Sequence, residues 1–174
     1  MITIVLVDDP AMVRLGLEQL LAAEPGMLVL GTAANGAEAV AMVLQTRPDV
    51  VLTDLQMPEL DGVGATQQLR AAGSESQIVV LTSFSDRERI VAALDAGAVG
   101  YLLKDAEPAE LIEGIRAVAR GESPLHPKAA RELLNARHSQ PQVGPSELTP
   151  REKQVLGLVR QGLANKQIAR RLGI

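Results

Sequence analysis

The sequence predicts an α/β fold, a doubly wound parallel sheet of five strands interleaved with five helices, followed by a smaller helical region. Two observations carry this reading. Short apolar runs recur at 2–7, 50–53, 78–81 and 98–103, separated by segments of helical periodicity. Runs of this length without polar alternation read as strands buried on both faces. Each run also ends at a residue suited to phosphate chemistry: Asp8-Asp9, Asp54, Thr82 and Lys104. Ligand sites in open α/β sheets lie beyond the carboxyl ends of the strands, so these four pieces should converge at one edge.

Taken in order, 2–7 is the first strand. Residues 10–23 place Met12, Leu15, Leu17, Leu20 and Leu21 at helical spacing and stop near Pro25-Gly26. Residues 27–33 form the second strand. Asn35 as N-cap with Glu38 three residues on is a capping box, opening a helix that runs to Thr46 ahead of Pro48. The third strand is 49–53. Residues 54–62 hold turn formers (Pro58, Asp61, Gly62), and the helix 63–72 stops at Gly73-Ser74. Strand 78–81, helix 85–96 closed by Gly97, and strand 98–103 follow. Helix 107–120 sets Leu111, Ile112, Ile115, Val118 and Ala119 on one face and closes at Gly121. Right-handed crossovers restrict the topology. The flavodoxin-like order 2-1-3-4-5 puts the first and third strands together at the switch point, making neighbours of Asp8-Asp9 and Asp54.

Three regions emerge: 1–121 as the α/β domain, 122–147 as a linker with one helix, and 148–174 as part of an all-α domain. The linker is marked by Pro124, Pro127, Pro141, Gly144 and Pro145. Thr149, Pro150 and Glu152 form an N-cap, an N1 proline and a capping-box acid. Gly162 ends that helix, and Asn165 caps a second carrying Ile168, Ala169 and Leu172. Two short helices across a tight turn suggest helix-turn-helix architecture. Charge divides the same way: residues 1–147 carry a net −9 and residues 148–174 a net +5. Only the basic end is suited to a polyanion. The absence of cysteine excludes disulfides and thiolate metal sites. The first apolar run is too short for a signal or membrane segment, so a soluble, cytoplasmic protein without membrane contact is expected.

A carboxylate attacks phosphorus only when the charge of both partners is offset. Mg²⁺ does this through oxygen ligands. Asp9 and Asp54 are the expected direct ligands, Asp8 acts through water, and the Gln56 backbone carbonyl adds an oxygen. Lys104 offers a mobile ammonium and Thr82 a short hydroxyl donor to phosphoryl oxygens. Such catalysis is mostly positioning and charge neutralisation.

The motifs Val-Asp-Asp, Leu-Thr-Asp-Leu-Gln-Met-Pro-Glu-Leu-Asp-Gly, Leu-Thr-Ser and Gly-Tyr-Leu-Leu-Lys-Asp resemble the signatures of two-component receiver domains over about 1–121. Leu-Thr-Pro-Arg-Glu-Lys-Gln-Val-Leu and Gly-Leu-Ala-Asn-Lys-Gln-Ile-Ala extend this to a NarL/FixJ-type response regulator with a LuxR-type DNA-binding domain. The resemblance implies that Asp54 accepts a phosphoryl group from a sensor histidine kinase, with Mg²⁺ on Asp8 and Asp9. Thr82 and Lys104 would contact the phosphoryl group, and Tyr101 would be the switch aromatic. Phosphorylation would then alter homodimerisation and DNA binding for transcription regulation. The protein would not be an enzyme beyond slow self-dephosphorylation.

Two departures stand out. Pro10 occupies a position that is commonly polar in this family; with Asp9 as N-cap and Pro10 at N1 it is acceptable, and it stiffens the acidic loop. The recognition helix of a LuxR-type domain should begin after Ile174, so the sequence reads as a shortened regulator. Lys166, Arg170 and Arg171 then supply backbone contacts to DNA at best, and sequence-specific binding is not expected. Two alternatives remain: a phosphorylation-independent receiver acting as an interaction module, and a phosphatase with Asp54 as nucleophile. The latter lacks its acid/base, because Gln56 stands where haloacid-dehalogenase-type enzymes carry a second Asp. If Pro10 stiffens the loop, Mg²⁺ titration of Pro10→His against the parent chain will show different affinities; identical affinities reject the effect.

Overall fold

The computed structural model describes residues 1–83 and 87–123, with Arg87 and Glu88 described by backbone alone. Five strands, β1 (Ile2–Val7), β2 (Met27–Ala33), β3 (Val50–Asp54), β4 (Gln77–Thr82) and β5 (Gly100–Leu103), alternate with five helices. The helices are α1 (Ala11–Ala22), α2 (Gly36–Thr46), α3 (Gly62–Ala71), α4 (Arg87–Asp95) and α5 (Pro108–Ala119). The sheet is wholly parallel in the order β2-β1-β3-β4-β5, the flavodoxin-like arrangement the sequence predicts.

The apolar runs lack alternation because both faces of the sheet are covered. Val5, Val7, Val51, Ile78, Val80 and Tyr101 pack toward one side with Val43 of α2, Leu69 of α3 and Ala93 of α4. Their sequence neighbours Ile4, Leu6, Leu52, Val79, Leu81 and Leu102 pack on the other, against Leu21 of α1 and Leu111, Ile115 and Val118 of α5. Core volume comes almost entirely from aliphatic side chains, as the 1% aromatic content requires.

Several boundaries differ from the sequence reading, each for a local reason. Asp54 and Thr82 are the last residues of their strands rather than the first beyond them, because the ladder extends through Asp54↔Leu81 and Thr82↔Leu103. β5 starts at Gly100, since the Ala98 N–H closes α4 by donating to the Ala93 carbonyl. Pro10 is the N-cap of α1, not its N1 residue: its ψ is 114°, and its carbonyl accepts from the Val13 and Arg14 N–H groups. Asp9 therefore does not cap the helix. Of the apolar residues at helical spacing in α1, Met12 and Leu15 are 80% and 50% exposed, while Leu21 is buried and Leu17 and Leu20 pack beside it. The capping box at Asn35 forms: its Oδ1 accepts from the Glu38 N–H at 2.9 Å, and a Glu38 carboxylate oxygen accepts from the Ala34 N–H. The expected helices at 149–162 and 165–173 lie outside the described residues, as does the linker beyond 123.

β1 and β3 are locked at their amino ends. Asp49 Oδ2 accepts from the Thr3 N–H at 2.8 Å and from its hydroxyl at 2.6 Å, while the Asp49 N–H donates back to Thr3 Oγ1 at 2.9 Å. These bonds hold the Asp49 carboxyl below its usual range. A group with a lowered folded-state pKa stabilises above its unfolded pKa and loses that contribution as pH falls through the folded value. Asp49→Ala, removing solvent-exposed bonds, should cost about 0.5–1 kcal/mol at neutral pH. The difference in melting temperature from the parent chain should shrink on acidification below about pH 4, as thermal melts across pH would show.

Candidate functional site

Four strand ends build the site. Paired registers place Val7 beside Thr53, Asp54 beside Leu81 and Thr82 beside Leu103. Asp8-Asp9 follow β1, Asp54 ends β3, Thr82 ends β4 and Lys104 follows β5, with its N–H donating to the Thr82 carbonyl at 3.0 Å. The chain thus brings Asp8, Asp9, Asp54 and Lys104 to one edge. Asp8 and Asp54 are buried and Asp9 is exposed.

Lys104 lies between two of the acids. Its Nζ is 2.7 Å from Asp8 Oδ2 and 2.8 Å from Asp54 Oδ2. The other Asp54 oxygen, Oδ1, accepts from the Leu55 N–H at 2.7 Å, which fixes the carboxylate plane. The Thr53 hydroxyl donates to the Asp54 carbonyl. Burial is the main cause raising the Asp8 pKa above its ordinary value; contact with Lys104 pulls it down, and the charges of Asp54 and Asp9 push it up. For Lys104, burial favours the neutral form, but its contacts with Asp54 and Asp8 outweigh this and its pKa is raised.

Oxygen atoms of Asp8, Asp9 and Asp54 lie within 4.8 Å of one another. Three carboxylates against one ammonium leave a deficit of two positive charges when all are ionised. Asp8 Oδ1 is buried without a hydrogen-bond partner among the described residues. An all-oxygen donor set, an orphaned buried carboxylate oxygen and this charge deficit fit a hard divalent cation such as Mg²⁺.

The remaining expected residues are placed as follows. Thr82 is fully buried, its hydroxyl donating to the Ser83 carbonyl at 3.0 Å among its contacts. Tyr101 is 4% exposed and packs inward in the core under α3 and α4. Gln56 is exposed in the loop directly after Asp54. Lys166, Arg170 and Arg171 lie outside the described residues. A groove of about 630 Å³, lined by Arg47, Asp49, Ser76 and Gln77 among others, sits at the opposite, amino edge of the sheet and is unrelated to the acidic cluster.

Two residues acquire importance only in three dimensions. Gly62 opens α3 behind the Asp61 cap, whose Oδ1 accepts from the Gly64 N–H. A Cβ at Gly62 would fall 2.1 Å from the Asp54 carbonyl oxygen, so glycine is what lets α3 start against β3. Arg14 donates from Nη1 to the carbonyls of both Asp8 and Asp9. In the sequence, Gly62 reads as a turn former closing the Leu-Thr-Asp motif, and nothing local singles out Arg14.

Comparison with known proteins agrees with this geometry. A profile for the "Response regulator receiver domain" matches residues 4–116. One for "Bacterial regulatory proteins, luxR family" matches residues 146–174. The chain belongs to the response regulators. Its receiver and LuxR-type regions place this response regulator in the NarL/FixJ group. It is 42% identical to the transcriptional regulatory protein LiaR of Bacillus subtilis, across all of this chain and 83% of that protein. It is 39% identical to the nitrate/nitrite response regulator NarL of Escherichia coli K12, across 99% and 81%. A solved LuxR-family regulator from Aurantimonas superposes with TM-score 0.73 at 34% identity, covering 79% of this chain and 98% of that one. The response regulator ChrA of a heme-sensing two-component system gives 0.67 at 35%, covering 99% and 82%. Among the described residues no helix is long and apolar enough to cross a membrane.

The close approach at Gly62 has a direct consequence. Gly62→Ala forces the new methyl against the Asp54 backbone and should destabilise by about 1–3 kcal/mol. Gly16→Ala, in α1 with open space around it, should stabilise by up to about 1 kcal/mol. Paired denaturant titrations measure both.

Proposed function

We propose that this response regulator is switched by phosphorylation at Asp54. The observation that carries the reading is the Lys104 bridge between Asp8 and Asp54, with Asp9 within ligand reach, at the carboxyl edge of the sheet. In this reading a sensor histidine kinase donates the phosphoryl group. The phosphorus–nitrogen bond of its phosphohistidine breaks, an oxygen–phosphorus bond to the Asp54 carboxylate forms, and the imidazole leaves and regains a proton from solvent.

Asp9, Asp54 and the Gln56 carbonyl would hold Mg²⁺, with Asp8 behind them. Bound there, Mg²⁺ would offset negative charge on the carboxylate and phosphoryl oxygens. Lys104 then turns its ammonium from the Asp8–Asp54 pair to a phosphoryl oxygen, and the Thr82 hydroxyl donates to another. The Leu55 N–H keeps Asp54 oriented throughout. Nothing in the cluster serves as a separate acid or base for turnover, which suits an acceptor rather than an enzyme. Tyr101, packed inward beneath α4, would register the change at Thr82 on the neighbouring strand. The output would be altered homodimerisation and DNA binding in a cytoplasmic transcription regulator, with Lys166, Arg170 and Arg171 on the DNA backbone.

Incubation with Mg²⁺ and acetyl phosphate, read by intact mass, tests this. The parent chain should gain one phosphoryl group, and Asp54→Ala or excess chelator should abolish the gain. A parent chain that neither gains mass nor binds beryllium fluoride would instead be a phosphorylation-independent interaction module.

A further inference from the structure

We infer that Arg14 is a positioning residue for the acidic loop, holding Asp9 in the place from which it ligates a divalent cation. The inference rests on the metal site of the proposed function and adds a residue that does not touch the ion.

The connection from β1 to α1 is only Asp8, Asp9 and Pro10. A loop carrying two adjacent carboxylates needs its backbone restrained if both side chains are to hold fixed directions. Asp8 is restrained on one side by its N–H, which donates to the Ala33 carbonyl of β2 at 3.1 Å. Its side chain is buried against Lys104. Asp9 has neither advantage, being exposed at the lip of the site. A helix N-cap often supplies the missing restraint through a side-chain hydrogen bond. Here the N-cap is Pro10, which makes no side-chain cap bond and has no N–H of its own.

Arg14 takes over that role. It sits in the first part of α1, its own N–H bonded to the Pro10 carbonyl at 3.1 Å. From there its Nη1 turns back and donates to the Asp8 and Asp9 carbonyls, the latter at 2.8 Å. Successive carbonyls pinned by one nitrogen cannot rotate independently. The peptide plane between Asp9 and Pro10 is thereby restrained, and with it the direction in which the Asp9 side chain leaves the backbone beside Asp8 and Asp54. Outer contacts that orient metal ligands change affinity by about 10–100-fold when removed.

Charge alone makes the opposite forecast. Arg14 is a cation beside a cation site, so removing it should tighten divalent binding by relieving repulsion. The sign of the change therefore separates positioning from electrostatics.

The experiment is calorimetric titration of Mg²⁺ into the full chain and into Arg14→Met and Arg14→Lys, with metal-free thermal melts as controls. Arg14→Met keeps the apolar stem and loses the donors; its Mg²⁺ dissociation constant should rise about tenfold or more. Arg14→Lys keeps the charge and a multi-donor nitrogen on a side chain one bond shorter, and should fall between. At saturating Mg²⁺ both variants should gain the phosphoryl group from acetyl phosphate within about twofold of the parent rate, since Asp54, Thr82 and Lys104 are untouched. Tighter or unchanged Mg²⁺ binding in Arg14→Met overturns the inference, and so does a rate loss that saturating Mg²⁺ does not repair. Should Arg14→Met fail to fold, Arg14→Gln, which loses both the charge and the reach, decides in its place, weaker binding supporting positioning and tighter or parent-like binding rejecting it. A parent chain that binds no Mg²⁺ removes the metal reading itself. A parent chain that binds it while the variants bind equally well removes only the role of Arg14.

Discussion

The ammonium of Lys104 makes the carboxyl edge of this sheet possible. Asp8 and Asp54 are both buried at the carboxyl ends of adjacent parallel strands, an arrangement that like-charge repulsion and desolvation oppose. One cation within 2.8 Å of both offsets that repulsion. It does so incompletely, because Asp8 keeps an unsatisfied buried oxygen and Asp9 adds a third acid. A buried pair gains its Coulomb energy only where geometry is good and the remaining lone pairs are satisfied. Here they are not, and the site is left with an outstanding demand for positive charge. That demand links the fold of the response regulator to the chemistry proposed for it.

The two edges of the sheet are built to different standards. At the amino edge, backbone groups between elements are tied off. The Thr3–Asp49 bonds close β1 against β3. Arg70 donates to the Gly97 carbonyl from Nε and Nη2 at 3.1 and 3.0 Å, and from Nη1 to the Ser74 and Ser76 carbonyls at 2.7 and 2.9 Å. Burial lowers the Arg70 pKa from its ordinary value, yet a guanidinium so placed stays charged and joins the α3–β4 loop to the α4–β5 turn. At the carboxyl edge, Gly62 admits contact no side chain would tolerate, and Glu59 takes a left-handed conformation with φ 63°, as Arg47 does at the amino edge with φ 46°. What distinguishes the carboxyl edge among the described residues is its unsatisfied buried carboxylate oxygen, not backbone strain, which occurs at both edges.

Much of the fold was legible from local pattern. Unalternating aliphatic runs such as 78–81 report burial on both faces, and Asn35 with Glu38 reports a helix start, because both signals are complete within a few residues. The errors fall where local signals compete. Pro10 suits N1 by its fixed φ, but its extended ψ and its carbonyl bonds to Val13 and Arg14 make it the cap. Met12 and Leu15 have the spacing of a buried face, but α1 turns Leu21 rather than them into the core. Periodicity identifies a helix without fixing its rotation against the sheet.

The sequence by itself determined which chemical groups end each strand, while alternation of elements and crossover handedness restricted strand order to a few arrangements, of which the expected flavodoxin-like one is present. Asp8, Asp9, Asp54, Thr82 and Lys104 could be named because a strand end is a local event and parallel strands share one direction. Only the tertiary structure decided how those groups meet. That Lys104 lies between Asp8 and Asp54, that Tyr101 is inward, that Gly62 abuts the Asp54 carbonyl and that Arg14 holds the acidic loop are through-space distances. Apart from the loop contact, each joins separate elements of the chain; even that one depends on the path the backbone takes around Pro10. Residue pattern specifies membership of the site, and packing geometry sets its charge balance.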